Sequence, residues 1–268
     1  MAKQDPQNAT KRLSDLIEKY KATSWSELYD STDSEEWRQL IKAHGYNLMR
    51  ECTLAIQVYV KDRLVLERSN RFEYLLSCAK DGCSDSRSAI SELFLRNSIS
   101  PNLFVNCLKT ILNEEDTKIN CMYLCGRSNS GKSFIVQSIA RHFISAYASS
   151  SHSLSEFAYE NFLNKSLIVI EEPFFIECTC EDMKSILAGA PFEIGKKYCS
   201  KQKLKRTPVL MTGNNHLLGK GYLRPLDEEA LNNRILSFDF NIEFKPDRVL
   251  SPEQFADWVL YVYRGLTC

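Results

Sequence analysis

The chain has 268 residues, of which 44% are hydrophobic and 25% are charged, a composition typical of a globular protein. Its 34 basic and 34 acidic residues cancel, which excludes a global field that would draw the chain to nucleic acid or to a membrane. No apolar run approaches the roughly 20 residues of a membrane-spanning helix. The polar amino terminus predicts an intracellular protein without a membrane partner.

The first hundred residues have mainly helical patterns. Residues 1–22 are polar and are expected to be frayed, whereas Ser24 has the features of a helix N-cap. Further helices are predicted over residues 34–44, 47–68, 72–78, 88–95 and 101–112. We therefore predict a helical region over residues 1–104 and a second domain over residues 105–268.

After residue 118 the pattern changes to strands that alternate with helices. Strands are predicted at residues 121–125, 167–171, 208–212 and 235–240, and a helix is predicted over residues 134–147. This alternation predicts an α/β fold with a central, mostly parallel sheet.

A phosphate-binding loop follows the first of these strands. Its sequence has the pattern G-x-x-x-x-G-K-S, and it lies between a strand-like run and a helical one. In such loops backbone N–H groups face the phosphates, the lysine reaches the β- and γ-phosphates and the serine hydroxyl ligates Mg²⁺. The predicted nucleotide-binding residues are Gly126, Arg127, Ser128, Asn129, Ser130, Gly131, Lys132, Ser133 and Phe134.

Two carboxylates end the second predicted strand. Glu171 and Glu172 follow a buried-strand run, and acidic residues at such strand ends lie beside the phosphates in α/β nucleotide sites. We expect Glu171 to hold Mg²⁺ with Ser133, either directly or through water, and Glu172 to orient the attacking water. A strand that simply runs out into solvent is the alternative explanation.

A basic segment follows at residues 192–206 and suits a hairpin. It contains six basic residues and one acidic residue, and basic groups attract phosphodiesters. A solvated loop or a nuclear-import signal over residues 201–206 is an equal alternative on composition alone. The predicted DNA-binding residues are Lys196, Lys197, Tyr198 and Lys201.

Two later residues complete the candidate site. Asn214 ends a short apolar strand, where its amide could contact a γ-phosphate or the attacking water. Arg234 precedes the last predicted strand, and an arginine can neutralise a transferring phosphoryl group from its own chain or from a neighbour. A plain turn and a surface arginine are the alternatives.

The ordered set of motifs over about residues 105–262 resembles the superfamily 3 helicases, which are AAA+-type motor domains of small DNA viruses. Among these it is most similar to the non-structural replication proteins of parvoviruses. The resemblance implies an ATP- and Mg²⁺-dependent ATPase and DNA helicase in which Lys132, Glu171, Glu172 and Asn214 act on ATP. It further implies that Arg234 acts on a neighbouring subunit's ATP. The helical region would be an oligomerisation bundle.

The resemblance also implies partners and a location. We expect single-stranded or forked DNA as the nucleic acid, a hexameric ring as the assembly and the host nucleus as the location. Gly195 stands where relatives usually carry an aspartate, and the nickase motif that precedes the motor in parvoviral proteins is absent from this sequence. A nucleotide-dependent assembly or DNA-packaging scaffold without unwinding activity is the alternative function.

The ten cysteines raise the further question of a zinc site or a disulfide framework. Cys178 and Cys180 flank one threonine, and no paired C-x-x-C motif occurs anywhere in the chain. We therefore expect mostly buried, reduced thiols.

Overall fold

A computed structural model describes residues 6–80, 82–149, 159–196, 199–247 and 249–267. Within these residues the chain forms eleven α-helices and seven β-strands. It divides into two compact units, Met1–Leu66 and Glu67–Cys268, and the division falls inside one helix. Among the described helices, none has the length and apolarity that crossing a bilayer requires.

The first unit is helical. Ser24 accepts a hydrogen bond from the backbone N–H of Glu27, and Asp33 forms a reciprocal capping box with Glu36, so local caps start its second and third helices. Gly45, with φ 54°, ends the third. The helices are α1 (Pro6–Tyr20), α2 (Trp25–Ser31), α3 (Ser34–His44) and α4 (Leu48–Ser69), with a 3-10 turn at Gly45–Asn47 before α4.

The expectation of a frayed amino terminus is wrong for residues 6–20, which form α1. Although this segment is polar in composition, it has a narrow apolar face. Leu13, Leu16 and Ile17 on that face are buried in the core of the first unit. Their spacing of three and four residues is that of a one-sided helix. Residues 1–5 lie outside the described residues.

The second unit begins before the predicted domain boundary at residue 104. Its early helices are α5 (Arg71–Ser77), α6 (Ser84–Arg96) and α7 (Pro101–Leu112). Phe72, Phe94 and Phe104 on these helices are fully buried in the same core as the sheet. The compact unit therefore starts at Glu67, because long-range packing joins these helices to the α/β layer. The oligomerisation role of the helical region stays a prediction.

Strands and helices are interspersed over the rest of the second unit, and the four predicted strands are present. The strands are β1 (Cys121–Gly126), β2 (Ser145–Ser149), β3 (Leu167–Glu171), β4 (Phe192–Lys196), β5 (Cys199–Leu204), β6 (Val209–Gly213) and β7 (Ile235–Phe240). The helices are α8 (Lys132–Ala140), α9 (Glu177–Ala188), α10 (Pro225–Asn232) and α11 (Pro252–Thr267). Among the described residues, five strands form a parallel sheet in the order β2-β3-β6-β1-β7, and β4 and β5 form a separate antiparallel hairpin.

Apolar side chains cover both faces of the sheet, as a parallel sheet requires. In β1, Met122 and Leu124 face a core that includes α5, α6, α7, α8 and α11. Cys121, Tyr123 and Cys125 face the opposite core, which includes α9 and the hairpin. The sheet is thus the middle layer of the unit, and its carboxyl edge carries the predicted site.

The helix predicted over residues 134–147 is too long. The helix α8 ends at Ala140, and Ser145 begins β2, which pairs in parallel with β3 at the sheet edge. The apolar periodicity continues through Phe143 and Ile144, which are buried after the helix has ended. Tertiary pairing with β3 therefore overrides the helical pattern at these residues.

Candidate nucleotide site

The phosphate-binding loop connects β1 to α8 through two glycines in conformations that other residues avoid. Gly126 has φ 128°, and a Cβ placed there would lie 2.1 Å from the carbonyl oxygen of Phe240. Gly131 has φ 89°, and its Cβ would lie 3.1 Å from the side chains of Leu93 and Phe244. Backbone conformation and close packing therefore require glycine at both positions.

Contacts within the loop fix its shape. The Ser130 hydroxyl donates to the carbonyl of Arg127 at 2.7 Å, and the carbonyl of Asn129 accepts from the backbone N–H of Phe244 at 2.9 Å. Ser130 is buried, whereas Arg127, Ser128 and Asn129 are exposed, as is Ser133 in the first turn of α8. The loop is therefore anchored by Ser130 and open to a ligand on its outer side.

Lys132 is the buried centre of the site, with 6% of its surface exposed. Its ammonium donates to the carbonyls of Gly126 at 2.8 Å and Arg127 at 2.5 Å. It also donates to the Ser130 hydroxyl at 3.3 Å and to Oδ1 of Asn214 at 3.2 Å. Burial lowers the pKa of Lys132, and the nearby Glu172 carboxylate acts in the opposite direction. The lysine is thus positioned at the loop by partners that an incoming phosphate could replace.

Asn214 joins the lysine to the acidic pair. Its Nδ2 donates to Oε1 of Glu172 at 2.8 Å while its Oδ1 accepts from Lys132. Glu172 has φ 49°, and its backbone N–H donates to the carbonyl of Thr212 at 2.7 Å. This left-handed turn directs Glu172 toward Asn214. Three predicted residues, which lie far apart in sequence, therefore meet at the carboxyl ends of β3 and β6.

Glu171 is placed differently from its neighbour. It is half-buried as the last residue of β3, where it pairs with Ser149 of β2 and Thr212 of β6. Glu172, rather than Glu171, lines the pocket around the phosphate-binding loop. The predicted role of Glu171 as a metal ligand stays a prediction.

Arg234 lies apart from this pocket. It sits half-buried in the turn between α10 and β7, where its Nη1 donates to the carbonyl of Ala230. Its Nε is buried and has no hydrogen-bond partner among the described residues. Arg234 is absent from the pocket lining, so within one chain it does not join Lys132, Glu172 and Asn214.

The basic segment forms the predicted hairpin. Ile194 and Leu204 anchor β4 and β5 in the core, and the strand register shifts between Ile194 and Lys196, where Gly195 lies. Lys201 is exposed on β5. Lys196 is the last residue of β4, and the predicted DNA contacts Lys197 and Tyr198 lie outside the described residues.

One basic residue of this segment has a structural role, because it hydrogen-bonds to the segment before β1. The guanidinium of Arg206 donates to the carbonyls of Asp116 at 2.5 Å and Ile119 at 3.1 Å, and to Oδ1 of Asn120 at 3.2 Å. Arg206 therefore stabilises the approach to β1, and it is less available for DNA than its position in the charged run indicates.

Comparison with known protein families shows which family this chain belongs to. The family model described as parvovirus non-structural protein NS1 matches residues 27–266, which is most of the chain. The chain belongs to this family. The predicted resemblance to parvoviral superfamily 3 helicases is therefore confirmed, and so is the predicted α/β fold class.

Individual relatives of this NS1-family chain are distant in sequence. Initiator protein NS1 of human parvovirus B19 (isolate AU) is 22% identical over 228 residues, covering 82% of this chain and 33% of the relative. The NS1 of feline panleukopenia virus is 24% identical over 200 residues, covering 69% and 49% respectively. Replication protein E1 of human papillomavirus 57 is 25% identical over 156 residues, covering 55% and 23%. The chain thus spans at most about half the length of these relatives.

A solved structure has the same fold. JCV helicase superposes with a TM-score of 0.55 and 11% sequence identity, covering 97% of this chain and 80% of that one. At this identity the similarity concerns the fold alone.

The NS1-family pocket includes residues that sequence reasoning missed. It has a volume of about 710 Å³, and its far wall comes from the segment after β7. The signal available in the sequence was the pair Phe244 and Pro246 within a stretch rich in charged residues. The missed lining residues are Thr212, Phe244, Lys245, Pro246, Val249 and Leu250.

Proposed function

We propose that this NS1-family chain is an ATP-hydrolysing DNA helicase motor of a viral replication initiator. The observation that carries the proposal is the hydrogen-bonded set of Lys132, Asn214 and Glu172 in a pocket formed by the phosphate-binding loop. The family membership and the names of its relatives, which are initiator and replication proteins, support the same function.

Each residue of the set has a role that its contacts suit. The backbone N–H groups of the loop and the Lys132 ammonium would bind the β- and γ-phosphates, replacing the carbonyl contacts that Lys132 makes in this structure. Glu172 would accept a hydrogen bond from the attacking water and orient it. Asn214 would hold the Glu172 carboxylate in place through its 2.8 Å hydrogen bond.

The donor atoms of the pocket suit Mg²⁺. The Ser133 hydroxyl and the Glu172 carboxylate both line it, and Glu171 immediately precedes Glu172. Hard oxygen ligands of this kind are those that Mg²⁺ prefers. We propose Ser133 and Glu171 as the residues that hold the ion, with Glu171 acting through a bound water because it does not itself line the pocket. The ion would neutralise charge on the phosphates when bound.

Assembly supplies the remaining part of the proposed site. Arg234 does not line the pocket of its own chain, which favours an action on the nucleotide of a neighbouring subunit. A ring with head-to-tail interfaces repeats that relation at every subunit, and we propose the hexameric ring of the family. In such a ring the β4–β5 hairpins would contact DNA through Lys196, Lys197, Tyr198 and Lys201, in the host nucleus.

The direct test is ATP hydrolysis by the wild type and by Lys132→Ala, with and without single-stranded DNA, over a range of protein concentrations. We expect Lys132→Ala to lose about 10³-fold in rate, because a preorganised donor to the transferred phosphate is removed. Lys118→Ala, an exposed lysine of the same unit, is the matched control and should keep the wild-type rate.

The dependence on DNA and on concentration separates the functions. Turnover that rises with both, and strand displacement on forked DNA, would support the helicase. Lys132-dependent turnover that is indifferent to DNA, without strand displacement, would favour the scaffold. Equal rates in Lys132→Ala and the wild type would contradict the nucleotide site itself.

A further inference from the structure

Three side chains with metal-binding atoms meet on the face of the sheet opposite α8. They are Cys125, His216 and Asp239, and their ligand atoms all lie within 4.8 Å of one another. The His216 Nδ1 and the Asp239 Oδ1 are 3.6 Å apart. None of the three lines the nucleotide pocket, so this cluster is separate from the predicted Mg²⁺ ligands.

The fold builds this cluster from three segments. Cys125 of β1 and Asp239 of β7 are direct partners in the parallel register, so their side chains leave the sheet on the same face. His216 comes from the loop after β6, and that loop is held by the Tyr123 hydroxyl, which donates to the carbonyl of Asn215 at 2.6 Å. Cys125 is buried in its strand, whereas the other two candidate ligands, His216 and Asp239, are exposed.

The ligand set is selective in its chemistry. A thiolate, an imidazole and a carboxylate together suit Zn²⁺, whereas Mg²⁺ and Ca²⁺ take oxygen ligands. In a tetrahedral zinc site with bonds of about 2.0–2.3 Å, neighbouring ligand atoms lie roughly 3.3–3.7 Å apart. The His216–Asp239 distance has this value already, and the exposed histidine can move toward the thiol.

We propose that Cys125, His216 and Asp239 form a Zn²⁺ site with a fourth position open to solvent. The ion would connect β1, directly before the phosphate-binding loop, with β7 and with the loop that follows Asn214. It would therefore restrain the segment that positions Asn214. The proposal does not depend on ATP hydrolysis, because ion binding can be measured without nucleotide.

A second cluster in the same unit is a poorer candidate for a metal site, because cationic side chains pair with its carboxylates. Cys180, Glu181 and Asp227 also bring ligand atoms together, but cationic side chains already hold the carboxylates. Lys184 contacts Asp227 at 2.7 Å and Glu181 at 2.6 Å, and Arg224 contacts Asp227 at 2.8 Å. Among the described residues, the ion-pair partner of Asp239 is His216, which is itself a ligand.

Cobalt is the probe that reports a thiolate ligand directly. Titration of the full chain with Co²⁺ should give one ion per chain and a thiolate-to-cobalt charge-transfer band, which one equivalent of Zn²⁺ abolishes. Zn²⁺ should also raise the Tm of the wild type. His216→Ala and Asp239→Asn change exposed residues, and each should weaken Co²⁺ binding by about 100-fold or more while the ion-free Tm stays unchanged.

The controls distinguish this site from incidental thiol binding. Cys178→Ser removes an exposed thiol outside the cluster, and Asp30→Asn removes an exposed carboxylate; both should bind Co²⁺ like the wild type. Wild-type Co²⁺ affinity in His216→Ala and Asp239→Asn would overturn the proposal. So would loss of the charge-transfer band in Cys178→Ser, or absence of the band in the wild type.

Discussion

The nucleotide pocket and the turn that carries Arg234 differ in their contacts within a single chain. In the pocket, Lys132, Asn214 and Glu172 are joined by hydrogen bonds that span the loop and two strand ends. Arg234 instead donates to the carbonyl of Ala230, one helical turn earlier, and it is not among the described residues that line the pocket. We therefore propose that a single chain binds the phosphates and that Arg234 acts on the site of a neighbouring chain. On this proposal a single chain binds nucleotide, whereas full hydrolysis requires the assembly.

The largest expected effect comes from Arg234→Ala. The variant should bind ATP like the wild type, yet hydrolyse it about 10³-fold or more slowly at assembling concentrations, since the lost charge acts only on the transferring phosphoryl group. The nucleotide affinity measures ATP binding, and the steady-state rate measures hydrolysis. Arg141→Ala, an exposed arginine of the same unit, is the control. Weakened ATP binding by the isolated Arg234→Ala chain would contradict this proposal, because it would show that Arg234 contributes to the pocket of its own chain.

A somewhat smaller loss is expected from Glu172→Gln. Removal of the carboxylate that orients water should lower the rate about 10²-fold or more, while ATP remains bound. Glu171→Gln sharpens the assignment of the acidic pair. If Glu171 holds the metal ion, its variant should regain activity as the Mg²⁺ concentration rises, and Glu172→Gln should not. The reverse pattern would exchange the two roles.

Asn214→Ala should have a milder effect. The variant loses one hydrogen bond to the Glu172 carboxylate and one to Lys132. We expect the rate of hydrolysis to fall about tenfold, which corresponds to the free energy of one hydrogen bond to a charged group. Asn215→Ala is the matched neighbour, because Asn215 uses its backbone carbonyl in its contact with Tyr123. Equal effects of the two substitutions would show that the loop, rather than the Asn214 side chain, matters.

The smallest effect is expected at the hairpin, in Lys201→Ala. Loss of one phosphate contact should leave the DNA-independent ATPase unchanged and weaken binding to single-stranded DNA. The slope of log affinity against log salt should fall by about 0.7 per lost contact. Lys118→Ala should leave that slope unchanged. An unchanged slope in Lys201→Ala would remove this residue from the DNA interface.

Local signals in the sequence were sufficient for much of the fold. The cap at Ser24, the glycine loop before Lys132 and the apolar runs of β1, β3, β6 and β7 produce the elements that they predict. Contacts between distant residues decide the rest. The helix α8 stops before β2 because of strand pairing, and the second unit starts at Glu67 because Phe72 and Phe94 pack with the sheet.

The candidate site shows the same division. The motif spacing identified Lys132, Glu172 and Asn214, and the fold brings them together. Sequence could not distinguish Glu171 from Glu172, because the left-handed turn at Glu172 decides which carboxylate lines the pocket. Nor could cysteine spacing reveal the cluster at Cys125, whose other members lie on different segments of the chain.

Mixing two inactive variants tests most directly whether neighbouring chains share an ATP site. In a ring with shared sites, Lys132→Ala subunits still carry Arg234, and Arg234→Ala subunits still carry Lys132. Random mixing in equal amounts should therefore restore about a quarter of the interfaces, and ATP hydrolysis should reappear in the mixture. If the mixture stays as inactive as either variant alone, although both still assemble, then Arg234 does not complete the site of a neighbouring chain.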